Sequence, residues 1–222
     1  MDTLLTILFV LTNTAQIDSM HATGVWLEEF AVPRQVFVDA GAQVTVASPK
    51  GGNIPIDPRS LTDESRTKFG NEIVMLQSSQ KLSDVKTDDF DAIFFPGGHG
   101  TMFDLPGNKD VEKALITMYQ DGKVVSAVCH GPAAFVDAKM SNGKLLVEGR
   151  QLAVFTDSEE KAAKLDHLMP FLLESKLKEQ GATVVAGPNF EKQVVVDGKI
   201  VTGQNPQSSE GVAQAVMELL KR

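Results

Sequence analysis

Four short segments carry side chains whose types and spacing suit covalent chemistry on a carbonyl carbon. In the first, Val124-Val125-Ser126-Ala127-Val128-Cys129-His130-Gly131-Pro132, an apolar run leads into a thiol and then into small residues. Ala127 and Gly131 flank Cys129 at two residues to either side. A nucleophile elbow needs that pattern, because its sharp strand-to-helix turn leaves no room for bulk at the flanks. The turn places the sulfur at the carboxyl ends of the strands, where open α/β sheets bind ligands. A helix N-terminus aimed at the thiol is expected to lower its pKa and favour the thiolate. The competing reading is a small buried hydrophobe, the usual fate of a lone cysteine. Neighbours on a turn point different ways, so adjacency alone does not make the His130 ring a base. Its backbone N–H is the candidate, as an oxyanion donor.

The second segment is Phe94-Phe95-Pro96-Gly97-Gly98-His99-Gly100-Thr101, glycines following a buried strand. Glycines let the backbone approach a ligand and expose N–H groups. The spacing is not that of a dinucleotide or P-loop motif. Gly98 N–H is the candidate second oxyanion donor, with His99 lining the pocket; an ordinary strand-to-helix turn is the alternative. The third segment, His21-Ala22-Thr23-Gly24-Val25-Trp26-Leu27-Glu28-Glu29-Phe30, opens the first helix. Successive helical residues diverge by about 100°, so one acid at most faces a buried site. Glu29, three residues after Trp26 and next to Phe30, sits on the apolar side, and Glu28 nearer solvent. In the fourth, Phe155-Thr156-Asp157-Ser158-Glu159-Glu160-Lys161, a carboxylate could orient an imidazole, the third role in a triad. Helix capping by Asp157 or Ser158 with acids in the first turn explains the same residues. His167 reads as a surface or packing residue, and His21 has no assigned role.

These segments must be held by a scaffold, and the rest of the chain describes one. Thr3–Leu11, Gln43–Ser48, Asp91–Phe95 and Val124–Val128 are continuous apolar runs of the kind buried parallel strands show. Amphipathic stretches separate them: Trp26 to Phe37 before Gly41, and Val111 to Tyr119 before Gly122. Alternating strands and helices predict an α/β, doubly wound sheet, mostly parallel, with helices on both faces. Further on, Gln151–Phe155 and Thr183–Ala186 read as strands, Pro170–Gln180 as a helix, and Val194–Val196 with Ile200–Thr202 as a hairpin turning at Asp197-Gly198. Ser209–Leu220 closes the chain as a helix with Ser208 as N-cap. Pro49–Pro58 reads as a loop, and Asp63–Ser83 as a helix or irregular excursion covering an edge.

The 222 residues fit one large domain of residues 1–222, with 42% hydrophobic and 23% charged side chains, which excludes a disordered chain. A net charge of −8, from 21 basic and 29 acidic residues, argues against nucleic acid as a partner. The single cysteine forms no internal disulfide and no zinc cluster, and a reducing, cytoplasmic compartment is expected. Leu4 to Leu11 is too short for a membrane span and lacks a basic flank, so it reads as a buried strand.

Six landmarks in order resemble the ThiJ/PfpI superfamily, relatives of class I glutamine amidotransferases: Thr-Gly-Val-Trp-Leu-Glu-Glu, Ala-Ser-Pro-Lys-Gly-Gly, Phe-Pro-Gly-Gly-His-Gly-Thr, Ala-Val-Cys-His-Gly-Pro, Phe-Thr-Asp-x-Glu-Glu and Thr-Gly-Gln-Asn-Pro-x-Ser. The chain is most similar to the heat-shock-type branch described as glutathione-independent glyoxalase III. That likeness implies a flavodoxin-like sandwich and a homodimer, with Cys129 as nucleophile, His130 beside it and an acid on the first helix, matching Glu29. The third member would match Glu160, with Glu159 and Asp157 as alternatives. The implied reaction turns methylglyoxal, or a similar small 2-oxoaldehyde, into a 2-hydroxy acid (D-lactate) with no external cofactor and no metal. Cys129 would attack the aldehyde, Gly98 and His130 N–H groups would hold the oxyanion, and His130 oriented by Glu160 would move the proton. Glu29, raised in pKa by the adjacent thiolate, would be protonated. Two other classes share the elbow: a stress-protective deglycase, holding chaperone or redox sensor, and an amidase, peptidase or isonitrile hydratase. The family's larger bacterial chaperones carry an extra domain, which a chain of 222 residues is expected to lack.

Overall fold

The computed structural model describes residues 4–221. Strands are β1 (Thr6–Val10), β2 (Gln43–Ser48), β3 (Gln80–Lys81), β4 (Ala92–Phe95), β5 (Val124–Val128), β6 (Gln151–Leu152), β7 (Thr183–Val184), β8 (Val194–Asp197) and β9 (Ile200–Gly203). Helices are α1 (Leu27–Asp39), α2 (Asp63–Lys68), α3 (Gly70–Met75), α4 (Thr101–Asp104), α5 (Lys109–Gln120), α6 (Asp157–Ala162), α7 (Leu173–Glu179) and α8 (Ser209–Leu220). Seven strands form one sheet in the order β3-β2-β1-β4-β5-β9-β8, parallel except for the β8–β9 hairpin. The expected α/β sheet is therefore present, and the Asp197-Gly198 turn makes its antiparallel edge.

The pleat sorts the apolar strands between two cores, since successive side chains point to opposite faces. Leu8, Val10, Ile93, Phe95, Val125 and Ala127 pack on one face with Val111 and Leu115 of α5. Ile7, Phe9, Leu11, Phe94 and Val128 pack on the other with Phe30 and Phe37 of α1 and Val212 and Val216 of α8. Phe9 stacks on Phe94 at 4.9 Å between ring centroids and meets Phe30 edge-on at 5.4 Å. Strands buried on both faces give unbroken apolar runs, which is why the central sheet is legible in the sequence.

Several expected elements change. Thr3, placed in the first strand, lies outside the described residues. Asp63–Ser83 resolves into α2, α3 and the edge strand β3. Gln151–Phe155 is a strand only at Gln151–Leu152, which pairs with the equally short β7 in a separate sheet. Ala153 N–H donates instead to Thr202 Oγ1 at 2.9 Å and Phe155 N–H to Cys129 O at 3.0 Å, so the segment bends back over the elbow. Ser208 is the residue before α8 but makes no cap; its Oγ donates to Asn205 Oδ1 at 2.9 Å.

Candidate active site

The turn after β5 has the shape that its sequence implies. Cys129 has φ 61°, a left-handed conformation for a residue with a Cβ. Such strain costs about 1–3 kcal/mol and persists where surrounding structure enforces it. Close backbone approach does so here: a Cβ at Gly131 would lie 2.0 Å from Phe95 O. Overpacking of this kind costs typically about 1–3 kcal/mol. Gly131→Ala is therefore expected to lower the melting temperature clearly; an unchanged melting curve would remove the steric argument for the elbow.

The elbow brings His130 to the sulfur. Cys129 Sγ lies 3.4 Å from His130 Nδ1, and His130 Nε2 lies 2.5 Å from Glu160 Oε2. Sequence neighbours diverge on an ordinary turn; the positive φ at Cys129 bends both side chains to one side. Of the three acids left open after β6, Glu160 alone reaches the ring. Thr156 caps α6 in a capping box with Glu159, and Asp157 accepts from Ser175 Oγ. Glu159 is buried and accepts from Phe190 N at 2.8 Å, Gln204 Nε2 at 3.1 Å and Asn205 Nδ2 at 2.9 Å, tying the loop before β8 to the turn before α8.

Glu29 is fully buried on α1, while Glu28 is exposed, as the helical spacing anticipates. Glu29 Oε2 accepts Gly97 N–H at 2.6 Å, and the buried Oε1 has no hydrogen-bond partner. Burial pushes the carboxyl up to about 8, so at neutral pH it carries a proton. Burial, and then Glu29 beside it, also push the Cys129 thiol well above its ordinary value. This corrects the expected lowering of the thiol. The segment after the elbow is a five-residue 3-10 turn, Gly131–Phe135, rather than a long helix with a full dipole, and carboxyl groups surround the sulfur. Both influences favour the neutral thiol over the thiolate.

Glu29 gives a pH prediction with a definite sign. Below pH 4.5 the group is protonated in folded and unfolded chains alike, and burial costs nothing. Between pH 4.5 and about 8 only the unfolded chain ionises, so stability falls by about 1.4 kcal/mol per pH unit. Glu29→Gln keeps an acceptor for Gly97 N–H and cannot ionise. Urea unfolding should show its stability gain over the parent growing by a few kcal/mol from pH 5 to pH 8; a pH-independent difference would contradict the buried proton.

Gly98 and His130 border the same space, and neither backbone N–H finds an acceptor among the described residues. Gly98 has φ 99°, and a Cβ there would lie 2.1 Å from Gly24 O, which leaves only glycine at that position. His99 does more than line the pocket: its Nε2 is 2.5 Å from Glu160 Oε1 and its Nδ1 is 3.0 Å from Arg59 Nη2. Burial, then the neighbouring His130, lower His99 to about 4, so it is neutral. Burial alone would raise Glu160, but the His130 and His99 rings reverse that and hold it well below the carboxylate range.

Arg59 and Asp57 also belong to the site, although no sequence motif marks them. Val25 N–H donates to Pro55 O at 2.8 Å and Asp57 N–H to Val25 O at 2.9 Å, which draws the loop after β2 against the start of α1. Buried Asp57 then fixes Arg59 through Nε at 3.0 Å and Nη2 at 2.6 Å. A Gly- and Pro-rich loop holds no periodic signal that points to such a contact. His21 and His167 stand apart, paired with Asp18 and Asp166.

Trp26, Arg59, Cys129, His130, Phe155 and Phe190 line a cavity of about 180 Å³. An apolar cavity of about 150 Å³ holds a benzene, so this space fits a molecule of a few heavy atoms. His99, His130 and Glu160 offer ligand atoms within 4.8 Å of one another, and the described residues give no other such cluster for a metal. Those atoms already satisfy one another as hydrogen-bond partners.

The DJ-1/PfpI family model matches residues 19–219. The chain belongs to the DJ-1/PfpI family. Among its DJ-1/PfpI relatives, Glyoxalase 3 of Candida albicans is 35% identical over 210 residues, covering 88% of this chain and 89% of the relative. A glutathione-independent glyoxalase of Saccharomyces cerevisiae is 33% identical over 217 residues, 90% of each chain. The crystal structure of glyoxalase III from Candida albicans superposes with a TM-score of 0.87 at 34% identity, covering 96% of both chains. The resemblance drawn from six sequence landmarks thus holds over nearly the whole DJ-1/PfpI fold. No helix among the described residues is long and apolar enough to cross a membrane.

Proposed function

We propose that this protein is a glutathione-independent glyoxalase III-type enzyme, converting methylglyoxal or a related small 2-oxoaldehyde to a 2-hydroxy acid. The carrying observation is the Cys129–His130–Glu160 chain, with contacts of 3.4 and 2.5 Å, facing a cavity of about 180 Å³. The glyoxalase relatives support the substrate class.

Glu160, ionised, accepts His130 Nε2–H, which leaves Nδ1 to take the thiol proton as sulfur bonds to the aldehyde carbon. The aldehyde oxygen becomes an oxyanion between the N–H groups of Gly98 and His130. Each such donor is worth about 3 kcal/mol of barrier. Protonation of that oxygen completes a hemithioacetal. Removal of the C1 proton and its delivery to C2, through an enediol, makes the 2-hydroxy thioester of Cys129. Water then cleaves the thioester, releasing the hydroxy acid and the thiol, so the sum is oxoaldehyde plus water. Glu29, protonated beside the sulfur, is a proton donor and shuttle for these transfers. No external redox partner is required, because C1 is oxidised as C2 is reduced.

Purified protein with methylglyoxal in glutathione-free buffer is expected to yield D-lactate. Failure to make lactate, with amine release from amides instead, would move the site to the hydrolase class. The same reading includes a homodimer in the cytoplasm. Light scattering is expected to give twice the chain mass, and a monomer at all concentrations would remove that element.

A further inference from the structure

We propose that Arg59 and His99 form a positioning arm that aims Glu160 at His130, with Arg59 acting through the tautomer of His99. The inference rests on the glyoxalase reading above and adds residues to its machinery.

A guanidinium has five donors and no acceptor. Arg59 Nη2 lies 3.0 Å from His99 Nδ1, so that nitrogen must accept. The proton of the neutral ring therefore sits on Nε2, which is 2.5 Å from Glu160 Oε1 and donates to it. Glu160 then receives one N–H on each oxygen, from His99 on Oε1 and from His130 on Oε2 at 2.5 Å. Two donors on opposite oxygens fix the carboxylate plane as well as its position. With Oε2 committed to His130 Nε2–H, the His130 ring keeps Nδ1 toward the sulfur.

The arm is itself anchored. Asp57, buried, holds Arg59 through two side-chain contacts and receives Thr23 Oγ1 at 3.1 Å. Trp26 lies under the guanidinium, 5.6 Å from ring centroid to Cζ. His99 is 5% exposed and its ring sits 4.1 Å from that of His130, so neither imidazole has room to turn over. The path runs Asp57–Arg59–His99–Glu160–His130–Cys129 without a gap.

Three variants test the arm, each first checked for a parent-like circular dichroism spectrum. Arg59→Met removes the donor that fixes the tautomer, and His99→Phe removes both hydrogen bonds. His99→Gln retains an acceptor for Arg59 and a donor for Glu160. With methylglyoxal, Arg59→Met and His99→Phe are expected to lose about 10- to 100-fold in kcat, with KM within about threefold of the parent. The double variant should be no worse than His99→Phe alone, because Arg59 acts through His99. His99→Gln should recover most of the loss. Independent multiplication of the two effects, or a His99→Gln variant as poor as His99→Phe, would overturn the arm.

A readout without turnover separates this inference from the glyoxalase reading. Nitrogen-15 spectra of histidine-labelled protein should show His99 as the neutral Nε2–H tautomer in the parent and a tautomer mixture in Arg59→Met. If the parent made no lactate, that spectrum would still support or reject the arm. A parent His99 protonated on Nδ1 would overturn it even with full glyoxalase activity.

Discussion

Cys129→Ala is expected to reduce lactate formation from methylglyoxal by at least about ten-thousandfold, to the level of solution chemistry. Loss of a nucleophile removes the covalent route outright, and the remaining donors cannot replace a bond. The variant should fold, because Cys129 is a 4% exposed residue whose side chain shortens by one atom, and alanine is tolerated at a left-handed position no worse than cysteine. The decisive comparison is the initial rate of lactate release by parent and variant at matched concentration, with circular dichroism confirming the fold. A variant within tenfold of the parent would show that the sulfur is not the attacking atom.

Glu160→Gln is the second large effect, and its direction follows from donor counting. Both histidines present N–H to Glu160. A glutamine offers one oxygen and one NH2, so one histidine must reverse its tautomer. His99 is held by Arg59, which leaves His130 to change. Its hydrogen would then sit on Nδ1, facing the Cys129 thiol, and the ring could no longer take the thiol proton. Wrong-tautomer variants of triads lose about ten-thousandfold, and we expect a fall in kcat of at least about a thousandfold with KM little altered. Steady-state kinetics at neutral pH read this directly. A loss confined to KM would mean that Glu160 binds substrate and does not orient His130.

The two predictions depend on features that differ in how plainly the sequence displays them. The central strands were readable because burial on both faces imposes continuous apolar runs, as in Ile7 to Leu11 and Val124 to Val128. The elbow was readable because Gly131 meets Phe95 O and tolerates no side chain. Helical geometry leans toward Glu29 over Glu28, since one lies on Phe30's side and the other nearer water, and burial in the fold separates them.

Other features were not local and left no local mark. Asp157, Glu159 and Glu160 share the first turn of one helix, and only the fold of Ala153–Thr156 over the elbow decides which reaches His130. Arg59 enters through a loop whose path is set by backbone pairing to Val25, a contact with no periodicity. The thiol's protonation is equally hidden from the local sequence. Helix dipole and burial act in opposite directions, and the sequence advertises the first while tertiary packing sets the second. A short 3-10 turn with three carboxyl groups nearby favours the neutral sulfur. In the proposed mechanism, proton transfer to His130 at the moment of attack therefore takes the place of a standing thiolate.

Covalent passage through the sulfur is open to direct observation. Parent protein is mixed with methylglyoxal in glutathione-free buffer, quenched in acid within a single turnover, digested, and examined by mass spectrometry. The expected result is a lactoyl thioester on the peptide containing Cys129, appearing before free lactate and decaying into it. Lactate accumulating while the Cys129 peptide stays unmodified at every quench time would contradict the mechanism.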